Sequence, residues 1–194
     1  LGPMQNKQQT FVLLDEWAPD SRELSREESL AELTKRYFVS HGPATVHDFA
    51  RWAGLTVTEA RSGVEAAGLV SEELVGTEYW TTKDAPGHAT YGGSSVHLLP
   101  GFDEYLIGYK DRSAVLAEEH ASKIVPGKNG VFMPTIVVGG QVIGTWKRKL
   151  KKNSMDITLS PFTQLGDSEE RIIEAASSYS QFAGLPLSSV ETTQ

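Results

Sequence analysis

A stretch of acidic, basic and aromatic residues from Pro100 to Ser113 carries the side chains best suited to chemistry in this chain. Neighbouring carboxylates such as Asp103 and Glu104 can exchange protons with a substrate or bind a divalent cation. No histidine lies beside them in the sequence, and the five histidines of the chain lack the spacing typical of metal ligands. We therefore predict neither a catalytic residue nor a metal site. We expect Asp111 to form an ion pair with a flanking basic residue and so to join two parts of the chain.

A second group of charged residues, the basic run, lies further along the chain. Five of the 18 basic residues lie within six consecutive positions. They are Lys147, Arg148, Lys149, Lys151 and Lys152. Because the net charge of the chain is -7, general binding of polyanions is not expected. A local cationic run is still able to contact phosphate groups, although such runs also serve as solvated surfaces or protect the edges of sheets.

Composition excludes several other kinds of site. The chain of 194 residues has no cysteine, so disulfides, thiolate zinc sites and cysteine nucleophiles are excluded. It has neither a glycine-rich phosphate loop nor a Gly-x-Ser-x-Gly nucleophile motif, and no cofactor is predicted. No stretch approaches the roughly 18 apolar residues that span a bilayer, so we expect no membrane partner and a cytoplasmic location. Residues 1–26 are interpreted as a tag remnant, Leu1-Gly2-Pro3, followed by a lead-in.

The first half of the chain has the order of elements of a winged helix-turn-helix, which we predict for residues 27–83. Helices are expected from Glu27 to Ser40, from Thr45 or Val46 to about Ala53 and from Thr58 to about Ala67. A hairpin of two strands around Gly76 follows them. In winged-helix proteins that bind DNA, the last of the three helices enters the major groove.

Four polar residues at the start of the third predicted helix are candidates for DNA contact. They are Thr56, Thr58, Arg61 and Ser62. The same helix carries two acids, Glu59 and Glu65, and Arg61 is its one cation. Because a firm hold on phosphates usually needs several Lys or Arg residues, a scaffold or protein-contact role is an open alternative.

The second half is predicted to be rich in β-structure, which makes the fold class α+β. Residues 84–95 are interpreted as a linker, residues 96–186 as a β-meander domain with flanking helices, and residues 187–194 as a frayed tail. Within the β-rich domain we expect strands at 96–99, 131–138, 141–149 and 155–159. Helices are expected at 114–122 and 168–182.

Several motifs of the chain resemble the bacterial winged-helix DNA-binding-domain family that includes the AlkZ- and YcaQ-type DNA glycosylases. The resemblance covers residues from about Phe11 to Pro186. Its motifs are His41-Gly42-Pro43-Ala44-Thr45, Asp48-Phe49-Ala50-Arg51-Trp52-Ala53-Gly54-Leu55, Leu98-Leu99-Pro100-Gly101-Phe102-Asp103-Glu104-Tyr105-Leu106, Tyr109-Lys110-Asp111-Arg112-Ser113, Asn129-Gly130-Val131-Phe132 and Gly144-Thr145-Trp146-Lys147-Arg148.

The resemblance implies a half-length relative of these enzymes. Family members are about twice as long and carry tandem winged helices before a β-rich domain, so this chain resembles their C-terminal half. Its implied partners are double-stranded DNA and the missing N-terminal half. Family glycosylases excise alkylated or cross-linked bases with a Gln-x-Gln or Gln-x-Asp pair that lies in that N-terminal half. None of the glutamines here has Gln or Asp two residues later, so the chain is expected to be inactive alone.

Three functional hypotheses follow. The first is a DNA-binding winged-helix fragment of a DNA-repair glycosylase-like protein. The second is a protein-interaction scaffold, or a transcription-factor-like winged helix with no repair role. The third is an enzyme that uses Asp103, Glu104 and Asp111. The motif residues from 103 to 112 are expected to be structural under the first two hypotheses. They are Asp103, Glu104, Tyr105, Asp111 and Arg112.

Overall fold

The computed structural model describes residues 1–84 and 95–193. The predicted linker lies outside these ranges except for its first and last residues, and the final residue of the predicted tail lies outside them too. The helices are α1 (Leu14–Trp17), α2 (Arg26–His41), α3 (Val46–Ala53), α4 (Val57–Ala66), α5 (Glu104–Ile107), α6 (Ala121–Ile124) and α7 (Glu169–Ala183). The strands are β1 (Val70–Leu74), β2 (Thr77–Thr81), β3 (Val96–Leu99), β4 (Thr135–Val138), β5 (Gln141–Leu150), β6 (Met155–Pro161) and β7 (Leu187–Thr192).

Helices α2, α3 and α4 each begin at a capping box, in which a hydroxyl and a carboxylate satisfy free backbone N–H groups at the helix start. The pairs are Ser25 with Glu28, Thr45 with Asp48 and Thr56 with Glu59. The first two boxes confirm the predicted helix starts. The third helix begins before its predicted start at Thr58, because Thr56 is its cap.

A compact aromatic core joins these three helices. Tyr37 and Phe38 from α2 pack against Phe49 of α3 and Val64 of α4, and all four side chains are buried. Helix α4 lies close against α2 at Gly63, where an added Cβ atom would collide with the hydroxyl of Thr34. The apolar spacing that predicted these helices therefore corresponds to the face they bury.

Strands β1 and β2 form the antiparallel hairpin expected after the third helix. Val75 and Gly76 make the turn, and both have a positive φ, 51° and 74°. An isolated bridge between Ala44 and Trp80 ties β2 to the connection between α2 and α3. The three helices and the hairpin thus follow one another in the predicted order.

The second sheet has five strands in the order β3-β4-β5-β6-β7. The first four of them pair antiparallel with their sequence neighbours, which confirms a meander. Helix α7 then carries the chain back across the sheet, so that β7 pairs parallel with β6. The predicted strand at 131–138 is shorter than expected, since only Thr135–Val138 is in the sheet.

Both faces of this sheet are partly covered by helices. On one face, Trp146, Ile157 and Leu159 pack against Ile172 and Ala176 of α7. On the other face, a smaller cluster packs against α5 and α6. Its buried members are Leu106, Leu116, Ile124, Val137 and Val142.

The predicted frayed tail is wrong, because residues 187–192 form strand β7. The polar composition of this segment predicts a surface tail, yet the side chains of Leu187 and Val190 pack against the core beneath α7. Local sequence patterns cannot predict that a segment pairs with a strand far away in the sequence.

The predicted helix at 114–122 is also wrong. The carbonyl of Val115 accepts a hydrogen bond from the amide of Val142 at 2.8 Å, which fixes this part of the chain beside β5. Only a 3-10 turn at Glu118–His120 and the short helix α6 follow.

The N-terminal segment contributes little to either core. Residues 5–8 form a turn closed by backbone bonds between Gln5 and Gln8, and α1 buries no residue. Within residues 1–84 and 95–193, none of the helices combines the length and apolar character that a bilayer crossing requires.

The correction of the tail can be tested by placing a charge in β7. Val190→Asp should lower the free energy of unfolding by about 2 kcal/mol, because a half-buried apolar side chain is replaced by a carboxylate without a partner. Ser188→Asp, at an exposed position of the same strand, should change it by less than about 0.5 kcal/mol. Urea denaturation of both variants measures this, and equal midpoints would mean that β7 contributes no stability.

Candidate nucleic-acid interface

The outer face of α4 is polar and weakly charged. Thr58, Arg61, Ser62 and Glu65 are all exposed there. The fourth predicted contact, Thr56, has its hydroxyl committed to the helix cap. It donates to the Glu59 carboxylate at 2.8 Å and accepts from the Glu59 amide at 3.2 Å.

The N-terminus of α4 already holds an anion of its own. The backbone amide and the hydroxyl of Thr56 lower the pKa of Glu59, and the nearby Arg26 guanidinium, which pairs with it, lowers it further. Glu59 is therefore ionised at neutral pH and complements the helix dipole. A phosphate approaching this end of α4 would meet a carboxylate, so any DNA contact falls to the side of the helix that carries Arg61.

The basic run lies where β5 extends beyond its neighbour β4. The pairing of β4 with β5 ends where Thr135 faces Thr145. Strand β5 continues to Leu150, and this last part of it pairs with β6 alone. Side chains alternate along a strand, so Lys147 and Lys149 lie on one face and Arg148 on the other. The Arg148 guanidinium lies 5.6 Å from the ring centre of Tyr179 on α7. The sheet thus divides a continuous cationic sequence into two surfaces.

Within the part of the chain that the structure describes, the basic run contains one lysine that is paired with a carboxylate and three that are not. The ammonium of Lys151 lies 2.7 Å from the carboxylate of Asp156, and this contact, with a smaller effect from Lys149, lowers the pKa of Asp156. Among the described residues, the ion pairs involve neither Lys147, Lys149 nor Lys152. These exposed ammonium groups, which we call the open lysines, are available to a partner.

Behind these surfaces, a junction joins the helical unit to the second half of the chain through Asp48. This residue is 3% exposed, and its carboxylate accepts four hydrogen bonds. One oxygen accepts from the amide and hydroxyl of Thr45 at 2.9 and 2.7 Å. The other accepts from the amides of Lys110 and Asp111 at 2.7 and 3.3 Å. Asp48, which the sequence shows only as part of a family motif, is therefore also the link between the two halves.

Two tyrosines reinforce the junction in opposite directions. The hydroxyl of Tyr37 donates to the carbonyl of Gly108 at 3.0 Å, and that of Tyr109 donates to the carbonyl of His41 at 2.9 Å. Burial, and then the nearby Asp48 carboxylate, raise the pKa of both tyrosines. Both hydroxyls therefore remain protonated donors at neutral pH.

Glu104 lies at the same junction. Its carboxylate accepts from the indole N–H of Trp52 at 3.1 Å and lies 3.3 Å from Nε2 of His41. The imidazole of His41 is in turn stacked on Tyr37, with ring centres 4.7 Å apart. Glu104 therefore joins α5 to α2 and α3, through hydrogen bonds and a histidine contact rather than through a Lys or Arg.

The expected ion pair of Asp111 with Lys110 or Arg112 is absent from the part of the chain that the structure describes. Asp111 instead accepts from the amide of Ser113 at 2.9 Å, and its pKa is lowered mainly by hydrogen bonding to Ser113. A local turn satisfies this carboxylate more easily than a long flexible side chain does.

The remaining motif residues position α5. Asp103 caps this helix by accepting from the amide of Tyr105 at 2.9 Å. The hydroxyl of Tyr105 donates to the carbonyl of Gly140 in the β4–β5 turn at 2.6 Å. Arg112 donates from Nε to the carbonyl of Leu106 at 2.5 Å, and burial lowers its pKa.

A cleft of about 200 Å³ lies beside the junction. It is lined by Pro43, Asp48, Tyr79, Tyr105, Tyr109, Asp111, Arg112, Ser113, Ala114 and Val115. Its buried carboxylate and two of its tyrosine hydroxyls are already hydrogen-bonded within the protein. The described residues also contain no group of three or more His, Cys, Asp or Glu side chains able to hold a metal ion. The junction therefore orients the two halves, and the exposed polar surfaces remain for binding.

Comparisons with known proteins give the chain its relatives. Residues 1–182 match the family described as DNA glycosylase AlkZ-like. The interstrand DNA cross-link repair glycosylase of Streptomyces sahachiroi is 31% identical over an alignment of 157 residues, and the match covers 75% of this chain and 42% of that protein. The solved structure of Streptomyces sahachiroi DNA glycosylase AlkZ matches with a TM-score of 0.82 at 24% identity, and the match covers 99% of this chain and 53% of that one. The chain spans about half the length of these relatives.

Removing the Asp48 carboxylate should weaken the junction. Asp48→Ala leaves four donors without their acceptor, three of them backbone amides, and we expect a loss of about 3 kcal/mol in the free energy of unfolding. Asp15→Ala in the exposed helix α1 is the control and should be close to neutral. Chemical denaturation measures both, and a loss below about 0.5 kcal/mol for Asp48→Ala would contradict the linking role.

The carboxylate at the start of α4 predicts a pH dependence. The pKa of Glu59 is lowered from its ordinary value of 4.5, so its contribution to stability is complete above that value and is lost as the pH falls through the lower folded pKa. Glu59→Gln should therefore lower the melting temperature most at pH 7, and the difference from the unsubstituted protein should shrink towards pH 3. A difference that stays constant over this range would show that the charge has no part in the cap.

Proposed function

Because this chain belongs to the AlkZ-like DNA glycosylase family, we propose that it is the DNA-binding half of a DNA-repair glycosylase-like protein. In this proposal, α2, α3, α4 and the β1–β2 hairpin act as a winged helix, and the β-rich half supplies a second contact to the same duplex. One relative named above is an interstrand DNA cross-link repair glycosylase, and this supports double-stranded DNA as the partner.

The open lysines carry the proposal. Lys147, Lys149 and Lys152 are exposed ammonium groups on a chain whose net charge is -7, and they are concentrated at one end of β5 and the turn after it. An acidic protein that contacts a polyanion must confine its cations to the contact surface. Lys151 contributes less in this proposal, because Asp156 already neutralises it.

Helix α4 adds a weaker contact. Arg61 is its one cation, and Thr58 and Ser62 flank it on the exposed face. Hydroxyls and a single guanidinium orient a protein on DNA without supplying much affinity. We therefore assign positioning to α4 and most of the electrostatic affinity to the open lysines.

The hairpin favours a different partner. Its strands carry Glu72, Glu73 and Glu78 and no basic residue, while Leu74 and Val75 at its tip are exposed. Acidic strands repel phosphates, so we propose that this wing faces away from the DNA. Contact with another protein surface is the second candidate function, and it applies to this hairpin.

The chemistry of base excision is assigned to a part of the protein outside this chain. The Gln-x-Gln or Gln-x-Asp pair that the family resemblance implies has no counterpart among the glutamines here. The junction carboxylates Asp48, Glu104 and Asp111 are occupied by hydrogen bonds to the protein itself. The chain alone is therefore expected to bind DNA without cleaving a glycosidic bond.

The test is the salt dependence of duplex binding after removal of the open lysines. The triple variant Lys147→Gln, Lys149→Gln and Lys152→Gln should bind a labelled duplex at least about tenfold more weakly at low salt, because up to three phosphate contacts are lost. The slope of log affinity against log salt should fall by up to about 3. Fluorescence anisotropy at several salt concentrations gives both quantities.

A control variant with the same change in net charge distinguishes a local phosphate contact from a general effect of the protein's net charge. The exposed lysines Lys7, Lys35 and Lys123 lie outside the basic run, and their triple exchange to Gln should leave the salt slope unchanged. Equal losses in both triple variants would mean that net charge alone governs binding, and the proposed contact surface would be abandoned.

A further inference from the structure

Phe102 combines an exposed aromatic side chain with a strained backbone. Its φ is 60°, in the left-handed region that a bulky L-residue rarely occupies, and its exposed fraction is 55%. Gly101, just before it, faces the carbonyl of Phe132 so closely that an added Cβ atom would lie only 2.7 Å from that oxygen. Glycine therefore stands at position 101, where a side chain would not fit, and phenylalanine stands at position 102, where the positive φ would favour glycine. An apolar ring held in water by a strained residue indicates a binding role.

The Phe102 ring has support from behind. The ring centre of Phe132 lies 6.2 Å from that of Phe102. The Arg112 guanidinium lies 4.9 Å from the ring centre of Phe132. Its Nε also donates to the carbonyl of Leu106. Phe102 is therefore backed by an aromatic ring and a fixed cation, while more than half of its own surface faces solvent.

The segment that carries Phe102 lies at the end of the sheet from which the basic run emerges, because Leu99 at the end of β3 pairs with Thr135, which pairs with Thr145 just before that run. The indole N–H of Trp146 donates to the carbonyl of Leu99 at 2.8 Å, and its amide donates to the carbonyl of Pro134 at 3.1 Å. Trp146 thus holds the last residue of β3 and the segment before β4, and the next residue along β5 is Lys147. Phe102, which follows β3, and Lys147, which lies just beyond the part of β5 that pairs with β4, are therefore at the same end of the sheet.

We propose that Phe102 stacks on an unpaired base of a DNA strand whose phosphates are held by the open lysines. The inference rests on the proposed DNA-binding function and adds a preference for DNA in which one base has left the stack. Stacking on an aromatic ring tolerates any base, since every base has a π-face, and it complements cations that contact the backbone. An apolar wedge at a base step that has lost its stacking is a recurrent device of DNA-binding proteins.

The experiment compares two DNAs that differ at one position. One is a fully paired duplex, and the other carries 2-aminopurine opposite an abasic site, so that this fluorescent base has no pairing partner. We expect the protein to bind the second DNA more tightly and to quench the fluorescence of 2-aminopurine. Phe102→Ala should reduce the ratio of the two affinities by about 5- to 150-fold, the range of one base-aromatic stack, and should abolish the quenching. Phe102→Trp should keep both.

Three further variants separate stacking from folding. Phe102→Gly relieves the left-handed backbone, so its melting temperature should equal or exceed that of the unsubstituted protein while the preference for the unpaired base is lost. Phe11→Ala removes another exposed phenylalanine, 81% exposed in the N-terminal segment, and should not change the ratio. The triple exchange of the open lysines should weaken binding to both DNAs and retain the ratio.

The outcomes distinguish this inference from the function on which it rests. If the unsubstituted protein binds paired duplex in a salt-sensitive manner but Phe102→Ala leaves the affinity ratio unchanged, the stacking role is overturned and the proposed function stands. If Phe102→Ala weakens binding to both DNAs equally, the ring packs against protein or paired DNA, and stacking is again overturned. If the unsubstituted protein binds neither DNA at low salt, the proposed function fails and the stacking role fails with it.

Discussion

The buried carboxylate of Asp48 is the interaction on which the arrangement of this molecule depends. A carboxylate that is 3% exposed is tolerated because its two oxygens accept four hydrogen bonds, two from the start of α3 and two from the segment that follows α5. One half of the interaction completes a helix cap, and the other half holds a segment more than 60 positions later in the sequence. This group, the tyrosine contacts around it and the contacts of Glu104 with Trp52 and His41 together orient the helical unit relative to the sheet.

The charges of the chain divide into those that hold the fold and those that remain available. Glu59, Asp111 and Glu104 are each committed to hydrogen bonds inside the protein, and Asp156 is paired with Lys151. The open lysines, by contrast, take part in none of the ion pairs of the described residues and form a small cationic surface at the end of β5. This separation makes DNA binding compatible with a net charge of -7, because the attraction of a charged ligand depends more on the local electrostatic potential of the contact surface than on the net charge of the protein.

Local rules predicted the helical unit well, and they failed in the β-rich half for identifiable reasons. The Ser25 and Thr45 capping boxes and the hairpin around Gly76 depend on residues within a few positions of one another, and such patterns are legible in the sequence. The predicted helix at 114–122 was overruled by the bond between Val115 and Val142, and the predicted tail was overruled by the pairing of β7 with β6. In both cases the partner comes from a distant part of the chain. The expected ion pair of Asp111 failed differently, because a nearby amide was a better partner than a neighbouring cation.

The amino-acid sequence alone determined the starts of α2 and α3, the order of the meander strands, the position of the basic run and the family motifs. These features depend on short-range spacing and on composition, and both can be read directly from the amino-acid sequence. The tertiary structure decided which cations of the basic run are open, that Asp48 has a second set of partners, and that Phe102 is strained and exposed at the same end of the sheet as the basic run. Each of these depends on which distant segments meet, because a side chain becomes free, paired or buried only when the surfaces around it are in place.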